Sequence, residues 1–420
     1  MKVLVIGSGG REHAVIRKLA ESREITRLYC APGNGGIRAQ AQTVDIAATD
    51  VEKMVDFAKR EGIDFVVVTP DDPLVLGMAD AMEAAGIPAF GPSRAAARIE
   101  GSKVFAKNLM RKYGIPTAQY AVFSDPAAAL DFIREAGRFP AVIKADGLAL
   151  GKGVVIAQDL EEARAALHAI MEEKIFGQSG SQVVVEEFLT GKEVSVLAFT
   201  DGHVVRPMVS SMDHKRAYDN DEGPNTGGMG TIAPSPYYTP EVADRCMREI
   251  FLPTMEAMNR EGCPFRGCLY FGLILTADGP RVIEYNCRFG DPETQVVLPL
   301  LQSDLFSILR AVREERLSEA DITWRDGAAA CVVLASGGYP KKYQTGFPIT
   351  GLDADGGHAG AIVYHAGTKW QDGQYLTAGG RVLGVTGLGD TLEEAIRRAY
   401  AAAADIRFEN RHYRTDIGRK

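Results

Sequence analysis

Residues 281–289 read Arg-Val-Ile-Glu-Tyr-Asn-Cys-Arg-Phe. In an extended strand this alternation puts Glu284 and Asn286 on one face, with Cys287 and Phe289 turned to the other. A carboxylate and an amide oxygen side by side can hold one hard cation, whose remaining ligands are phosphate oxygens and water. Arg288 would face the same place and can grip phosphate oxygens through two parallel N–H bonds. The competing interpretation is a solvated polar strand face. The apolar partners and the specific turn Gly290-Asp291-Pro292 that follows argue against it.

Two earlier stretches could serve the same chemistry. Lys144 closes the apolar run 141–143 and leads into Asp146-Gly147-Leu148-Ala149-Leu150-Gly151-Lys152-Gly153, after which 154–157 is apolar again. A glycine-rich loop between two strands lets backbone N–H groups approach a triphosphate. It is not a P-loop, because no helix and no Lys-Ser/Thr pair follow it, and taken alone it could be a structural hairpin. The strand 183–186 then ends in Glu186-Glu187-Phe188-Leu189, with Glu193 just beyond. That order suits an adenine edge on backbone groups and a carboxylate on ribose hydroxyls; solvated acids at a strand end are the alternative. The succession of both motifs within about fifty residues points to an ATP-type site, with Gly147, Gly151, Gly153, Glu186, Glu187, Leu189 and Glu193 as candidate contacts.

A further glycine turn, Gly7-Ser8-Gly9-Gly10-Arg11-Glu12, lies between a strand and a helix. The third position of a dinucleotide fingerprint is Glu12, and the second strand ends in Cys-Ala-Pro-Gly without an acid for a ribose diol. A single phosphate on backbone N–H groups at the helix start, with Arg11 as fixed charge, fits better. A tight turn without ligand remains the other reading.

The elements that must position these groups follow from periodicity. Buried strands at 3–6, 28–30 and 65–68 alternate with helices at 12–21, 51–61 and 73–85, which predicts a doubly wound parallel sheet over 1–101. From 102 to 325 a helix at 102–113 precedes strands at 141–144, 154–157, 183–186, 194–200, 269–276 and 281–285. Helices at 127–135, 160–172 and 240–259 interleave, giving an α+β unit with a mobile lid at roughly 120–190. Short strands, glycine turns and one helix at 392–404 make 326–420 a small β-rich cap. The expected class is thus multidomain α/β and α+β.

The net charge of −8, with both signs interspersed, offers no basic face for nucleic acid or anionic membrane. No apolar run approaches the ~20 residues that span a bilayer, and residues 1–7 read as a first strand rather than a leader. Six cysteines without C-x-x-C spacing predict reduced, buried thiols and no zinc site. The chain is read as cytoplasmic and monomeric.

Together the Lys103, 144–153, 186–193 and Glu284-x-Asn286-x-Arg288 series resembles the ATP-grasp superfamily. The run Arg288-Phe289-Gly290-Asp291-Pro292-Glu293-Thr294-Gln295 is similar to the signature of the glycinamide ribonucleotide synthetases (phosphoribosylamine–glycine ligases). The likeness runs the whole length, through 7–13, 213–216, 224–230, 336–340 and 364–368. It implies that ATP, glycine and 5-phosphoribosylamine give ADP, phosphate and glycinamide ribonucleotide through glycyl phosphate, in purine synthesis, with Mg²⁺ or Mn²⁺.

Under that resemblance Lys103 and Lys144 serve the ATP phosphates, and Arg288 the transferred phosphoryl group. Glu284 and Asn286 serve the metal; Asp213 and Lys215 serve glycine. Gly9, Gly10, Arg11, Glu12, Pro70, Asp71, Asn225, Thr226, Gly227, Gly228 and Asp291 contact substrate, while His214 is structural. Two departures stand out: Thr69-Pro70-Asp71 replaces the more usual Gly-Pro-Glu, and strand 269–273 offers no second metal carboxylate. Another ATP-grasp ligase, such as a carboxylase, and a non-catalytic nucleotide sensor are the competing readings.

Overall fold

The computed structural model describes residues 1–148 and 153–419. Apolar runs buried on both faces build the N-terminal sheet. β1 (Lys2–Gly7), β2 (Arg27–Pro32), β3 (Gln42–Thr43), β4 (Phe65–Val68) and β5 (Ala89–Phe90) lie in the order β3-β2-β1-β4-β5, every pair parallel. The crossovers are α1 (Gly10–Leu19), α2 (Val51–Glu61), and the pair α3 (Asp71–Leu76) and α4 (Met78–Ala84). The single helix expected at 73–85 is therefore two. Gly77 between them has φ +91°, a left-handed conformation that a helix interior cannot hold.

After α5 (Arg94–Gly101), Ser102 caps α6 (Lys103–Tyr113) by accepting from the Phe105 N–H, and Gly114 at φ +68° ends it. A four-stranded antiparallel sheet follows: β6 (Tyr120–Phe123), β7 (Ala141–Ala145), β8 (Val154–Ala157) and β9 (Val183–Glu187), in the order β6-β9-β7-β8. It has a small apolar core of its own around Ile143, Ile170 and Val185.

The chain continues through β10 (Lys192–Asp201), β11 (Val205–Pro207), β12 (Met212–Asp213), the hairpin β13 (Arg216–Tyr218) and β14 (Glu222–Asn225), and β15 (Gly230–Ala233). A long hairpin, β16 (Arg266–Thr276) and β17 (Gly279–Asn286), completes a sheet ordered β11-β10-β16-β17. Helices α5 and α6 lie between this sheet and the N-terminal unit, so that Leu4, Val66, Ala97, Val196 and Phe271 belong to one core.

The C-terminal segment adds β18 (Ala328–Ser336), β19 (Ile362–His365), the hairpin β20 (Thr368–Gln371) and β21 (Gln374–Thr377), β22 (Arg381–Gly389), the helix Leu392–Asp405, and β23 (Arg411–His412). Its sheet runs β12-β15-β18-β22-β19, with β23 beside β18. β12 and β15 come from far upstream, so the segment at 326–420 shares its sheet with the central region. Among the described residues no helix is long and apolar enough to cross a membrane. All six cysteines are buried and unpaired.

Candidate active site

The central cluster is shaped by a bulge. In the β16–β17 ladder Gly272 pairs with Glu284 and Leu273 with Val282, so Ile283 is the extra residue. Its carbonyl is turned out of the ladder and accepts from Lys144 Nζ at 3.1 Å. Beyond the bulge Tyr285 is buried and hydrogen-bonded to Thr254, while Glu284 and Asn286 face a cavity of about 510 Å³. Opposite Glu284 stands Gly272, where a Cβ would come 3.0 Å from the Glu284 Cγ. The glycine leaves the carboxylate its room.

Glu284 is ringed by cations. Lys215 Nζ lies 3.7 Å from its Oε1. Burial opposes the charge on Glu284, but Lys215, Lys144, Lys103 and Arg288 outweigh it and hold the carboxyl below its usual range. Arg288 Nη2 donates to Asn286 Oδ1 at 2.9 Å and pairs with Glu100 Oε1 at 3.1 Å. Glu100 Oε2 also accepts from the Cys287 N–H at 2.7 Å. α5 thus aims the guanidinium from behind.

The sheet β6-β9-β7-β8 and α6 supply a second charged knot. Glu186 lies between two lysines, with Lys144 Nζ 3.0 Å from Oε1 and Lys107 Nζ 2.9 Å from Oε2. Lys107 also donates to Thr117 Oγ1 at 2.8 Å, and that hydroxyl donates to the Val282 carbonyl. Burial lowers the Lys107 ammonium to about 8 against the opposing pull of Glu186. Lys103 Nζ donates to the Gly147 carbonyl at 2.8 Å, and Asp146 caps α6 through the Val104 N–H. The glycine loop is thereby tied to the start of α6. Glu187 accepts from the Gln119 N–H at 2.9 Å and lines the cavity beside the apolar Val142, Ile156, Leu189 and Ile274. This apolar end of the cavity can take a flat ring.

At the other end Asp213 is raised well above the usual carboxylate range by burial and by Glu293, with Lys215 and Arg381 opposing. Its Oδ1 sits where a Cβ on Gly228 would come within 2.7 Å. Ser195 bridges Glu293 Oε1 and the Tyr270 hydroxyl, at 3.4 and 2.8 Å. Burial works against charge on Asp71 too, but Arg288 and Arg11 keep its carboxyl low. Arg11 reaches the Phe289 carbonyl at 3.2 Å and pairs with Glu12. The Gly9 N–H is already taken by the Glu12 carboxylate.

Most of the residues singled out in the sequence line this one cavity. Gly9, Gly10, Glu12, Pro70 and Gly228 are not among its lining residues, and Gly151 falls outside the described residues. His214 lines no part of it. Its Nδ1 faces the Gly230 carbonyl and its Nε2 accepts from the Gly418 N–H, at 3.2 Å each, so the ring anchors the C-terminal tail. Sequence reasoning missed Lys107, Glu100, Tyr270, Glu293, Tyr339 and Arg381. Glu293 and Tyr339 lie within the runs 288–295 and 336–340 but were given no role there, and Lys107 is one helical turn from Lys103 on α6.

The donor set suits one hard cation. Among the described residues no three His, Cys, Asp or Glu groups converge on a point. Glu284 and Asn286 offer two oxygens, which leaves the rest of a magnesium-like shell to phosphates and water.

Comparison with known proteins agrees along the whole chain. Residues 1–100, 101–294 and 329–420 match the N domain, the ATP-grasp (A) domain and the C domain of phosphoribosylglycinamide synthetase. A phosphoribosylamine–glycine ligase of Caldanaerobacter subterraneus is 48% identical over 417 residues, 99% of either chain. The crystal structure of the corresponding Thermotoga maritima ligase is 34% identical, covers 100% of both chains and superposes with a TM-score of 0.87. The biotin carboxylase domain of a Hydrogenobacter thermophilus 2-oxoglutarate carboxylase has a TM-score of 0.75 at 20% identity, covering 98% of this chain and 91% of that one. That last likeness is of fold alone.

Proposed function

The chain belongs to the phosphoribosylglycinamide synthetase family, and from that membership we propose how its cavity divides the labour of an ATP-dependent ligase. The reaction is that of purine biosynthesis: ATP, glycine and 5-phosphoribosylamine give ADP, phosphate and glycinamide ribonucleotide. A carboxylate does not react with an amine until its oxygen is made a leaving group. A glycine carboxylate oxygen therefore attacks the γ-phosphorus, ADP leaves, and glycyl phosphate forms. The amine nitrogen then attacks the acyl carbon, the C–O bond to phosphate breaks, and the nitrogen gives up a proton. Positioning and charge neutralisation carry most of such a phosphoryl transfer.

The observation that carries this reading is Glu284 in its ring of cations, between an apolar slot on one side and the Asp213–Lys215 face on the other. Adenine takes the slot, with Glu186, Glu187, Leu189 and Glu193 around the nucleoside. Lys103 and Lys144 meet the phosphates, with Gly147, Gly151 and Gly153 in the covering loop. Arg288 meets the transferred phosphoryl group and the acyl phosphate. Asp213 receives the glycine ammonium and Lys215 its carboxylate, under the loop 225–228. Arg11 and Asp71 receive 5-phosphoribosylamine, with Asp291 beside them; Gly9, Gly10, Glu12 and Pro70 shape that end from behind the wall.

Glu284 and Asn286 would hold the divalent cation, Mg²⁺ or Mn²⁺, which neutralises phosphate charge when bound. The Asn286 amide oxygen accepts from Arg288 Nη2 at 2.9 Å and has a second lone pair that could serve such a cation. The lid sheet, with its separate core, closes over the nucleotide and excludes water from the acyl phosphate. We read the enzyme as cytoplasmic and without a nucleic-acid partner.

A coupled assay of ADP release tests the reading. Release should require both glycine and freshly generated 5-phosphoribosylamine for sustained turnover, and bicarbonate should not replace glycine. Stimulation by bicarbonate, or no ADP with both substrates present, would sink it.

A further inference from the structure

Arg381 opens β22, yet its guanidinium reaches two segments that lie far apart in the chain. Nη1 donates to the Gly227 carbonyl at 2.6 Å and to the Asp291 carbonyl at 2.8 Å. Nη2 lies 3.3 Å from Asp291 Oδ2. Gly227 belongs to the loop 225–228, whose next residue packs on Asp213. Asp291 belongs to the segment that carries Arg288 and backs the N-terminal turn, where a Cβ on Gly9 would come 3.3 Å from Asp291 Oδ2.

One planar group therefore spans the acid side and the amine side of the cavity, held from the C-terminal sheet. Its neighbours make the junction specific. The Gly227 N–H donates to the Tyr339 hydroxyl at 3.0 Å, and Gln295 Nε2 fixes the other Asp291 oxygen at 2.7 Å. A Cβ on Gly227 would come 3.0 Å from Arg381 Cζ, so the guanidinium lies close against the bare backbone of the loop.

We infer that Arg381 is a positioning residue that couples the two half-reactions, keeping the acyl phosphate in register with the amine so that nitrogen reaches it before water. The inference rests on the ligase reading above. Among the described residues Arg381 makes no hydrogen bond or ion pair with Lys103, Lys144 or Arg288, the groups assigned to the phosphates, so loosening it leaves activation in place and disturbs capture. Intermediate that is not captured meets water. The water oxygen attacks the acyl carbon, the bond to phosphate breaks, glycine is regenerated with loss of protons to solvent, and ATP is spent without an amide.

The experiment measures ADP and glycinamide ribonucleotide together, with the full-length enzyme at saturating ATP, glycine and 5-phosphoribosylamine. Wild type should release one ADP per amide. Arg381→Gln should form amide about 10-fold to 100-fold more slowly, the range expected when reacting groups lose alignment. It should release ADP in about twofold or greater excess over amide, with the KM for ATP within about twofold of wild type. Arg381→Lys, which keeps the charge but not the fork, should restore coupling in part. Tyr339→Phe removes only the acceptor for the Gly227 N–H and should leak less than Arg381→Gln; it serves as the probe should that variant fail to fold.

A ratio of one ADP per amide in all three variants would overturn the inference. So would parallel loss of ADP and amide in Arg381→Lys with an unchanged melting temperature, since Arg381 would then act in activation. A wild type that forms no ADP from glycine and the amine would instead overturn the ligase reading itself.

Discussion

Half-buried Arg288 and buried Lys107 are both cations held by carboxylates, but different consequences are expected when each is removed. Arg288 faces the cavity, so Arg288→Ala should lower kcat by about 10²-fold or more, as loss of a transition-state donor does. Wild-type kcat at saturating substrates would contradict that role. Lys107 is 3% exposed, and its ammonium is one of two that neutralise Glu186. Lys107→Met leaves a buried carboxylate with half its compensation and should cost about 3 kcal/mol in urea unfolding; a change below about 0.5 kcal/mol, as at an ordinary surface site, would argue that water reaches Glu186. Glu284, Asn286, Arg288 and Lys144 could be read from the sequence because alternation and glycine spacing are local. Glu100 and Arg381 could not, since what defines each is a partner 188 or 90 residues away, and Lys107 had only its helical spacing from Lys103 to mark it, its partner Glu186 lying 79 residues on.

At the scale of elements, two glycines and one bulge do what periodicity cannot announce. The apolar pattern over 73–85 is continuous, yet Gly77 in the left-handed region cuts it into α3 and α4. Likewise the alternation along β17 identifies the cavity face but not the extra residue Ile283, whose freed carbonyl receives Lys144. A bulge changes no residue type, so only pairing with Gly272 and Leu273 reveals it. Gly228 offers the sharpest test of an element. Its φ is +115°, and a Cβ there would come 2.4 Å from Pro292 Cδ and 2.7 Å from Asp213 Oδ1. Gly228→Ala should displace the loop 225–228 at a strain of about 2 kcal/mol. The expected readout is a KM for glycine raised on the order of tenfold while the KM for ATP holds. A change confined to ATP would show that the loop serves the other end of the cavity.

Over the whole molecule, the order of α/β, α+β and β-rich regions was legible from the alternation of strand and helix periods, because each sheet leaves its own hydrophobic pattern. That β12 and β15 would join the C-terminal sheet was not, since strand pairing across some 95 residues has no local signature. Histidines sit at two of the seams this creates. His365 accepts from Thr368 Oγ1 or donates to it, faces the Gly356 carbonyl, and donates its backbone N–H to His13; His214 anchors the tail at Gly418. Burial lowers both imidazoles to about 4 from an ordinary 6.5, with Arg414 adding to the effect at His214. Above about pH 6.5 both are neutral whether the chain is folded or not. As the pH falls toward 4 the unfolded chain takes up protons that the native one refuses, so stability drops, by about 2 kcal/mol per histidine at pH 5. Urea unfolding at pH 7 and pH 5 checks this, and His214→Gln should flatten its share; equal stability at the two values would contradict it. The shared sheet also imposes a schedule on synthesis. β15 ends at residue 233, but its partner β18 starts only at 328, and Arg381 is later still. At ~5–20 residues per second the ribosome takes roughly 5–20 s to close that interval. In its later part, once Arg288 has been made, the nascent chain holds its nucleotide and phosphate residues while the loop that closes over the acid still lacks its neighbours. Arg381, on β22, is the last of these site residues to be made, so the contact that couples activation to amide formation comes after the residues that activate.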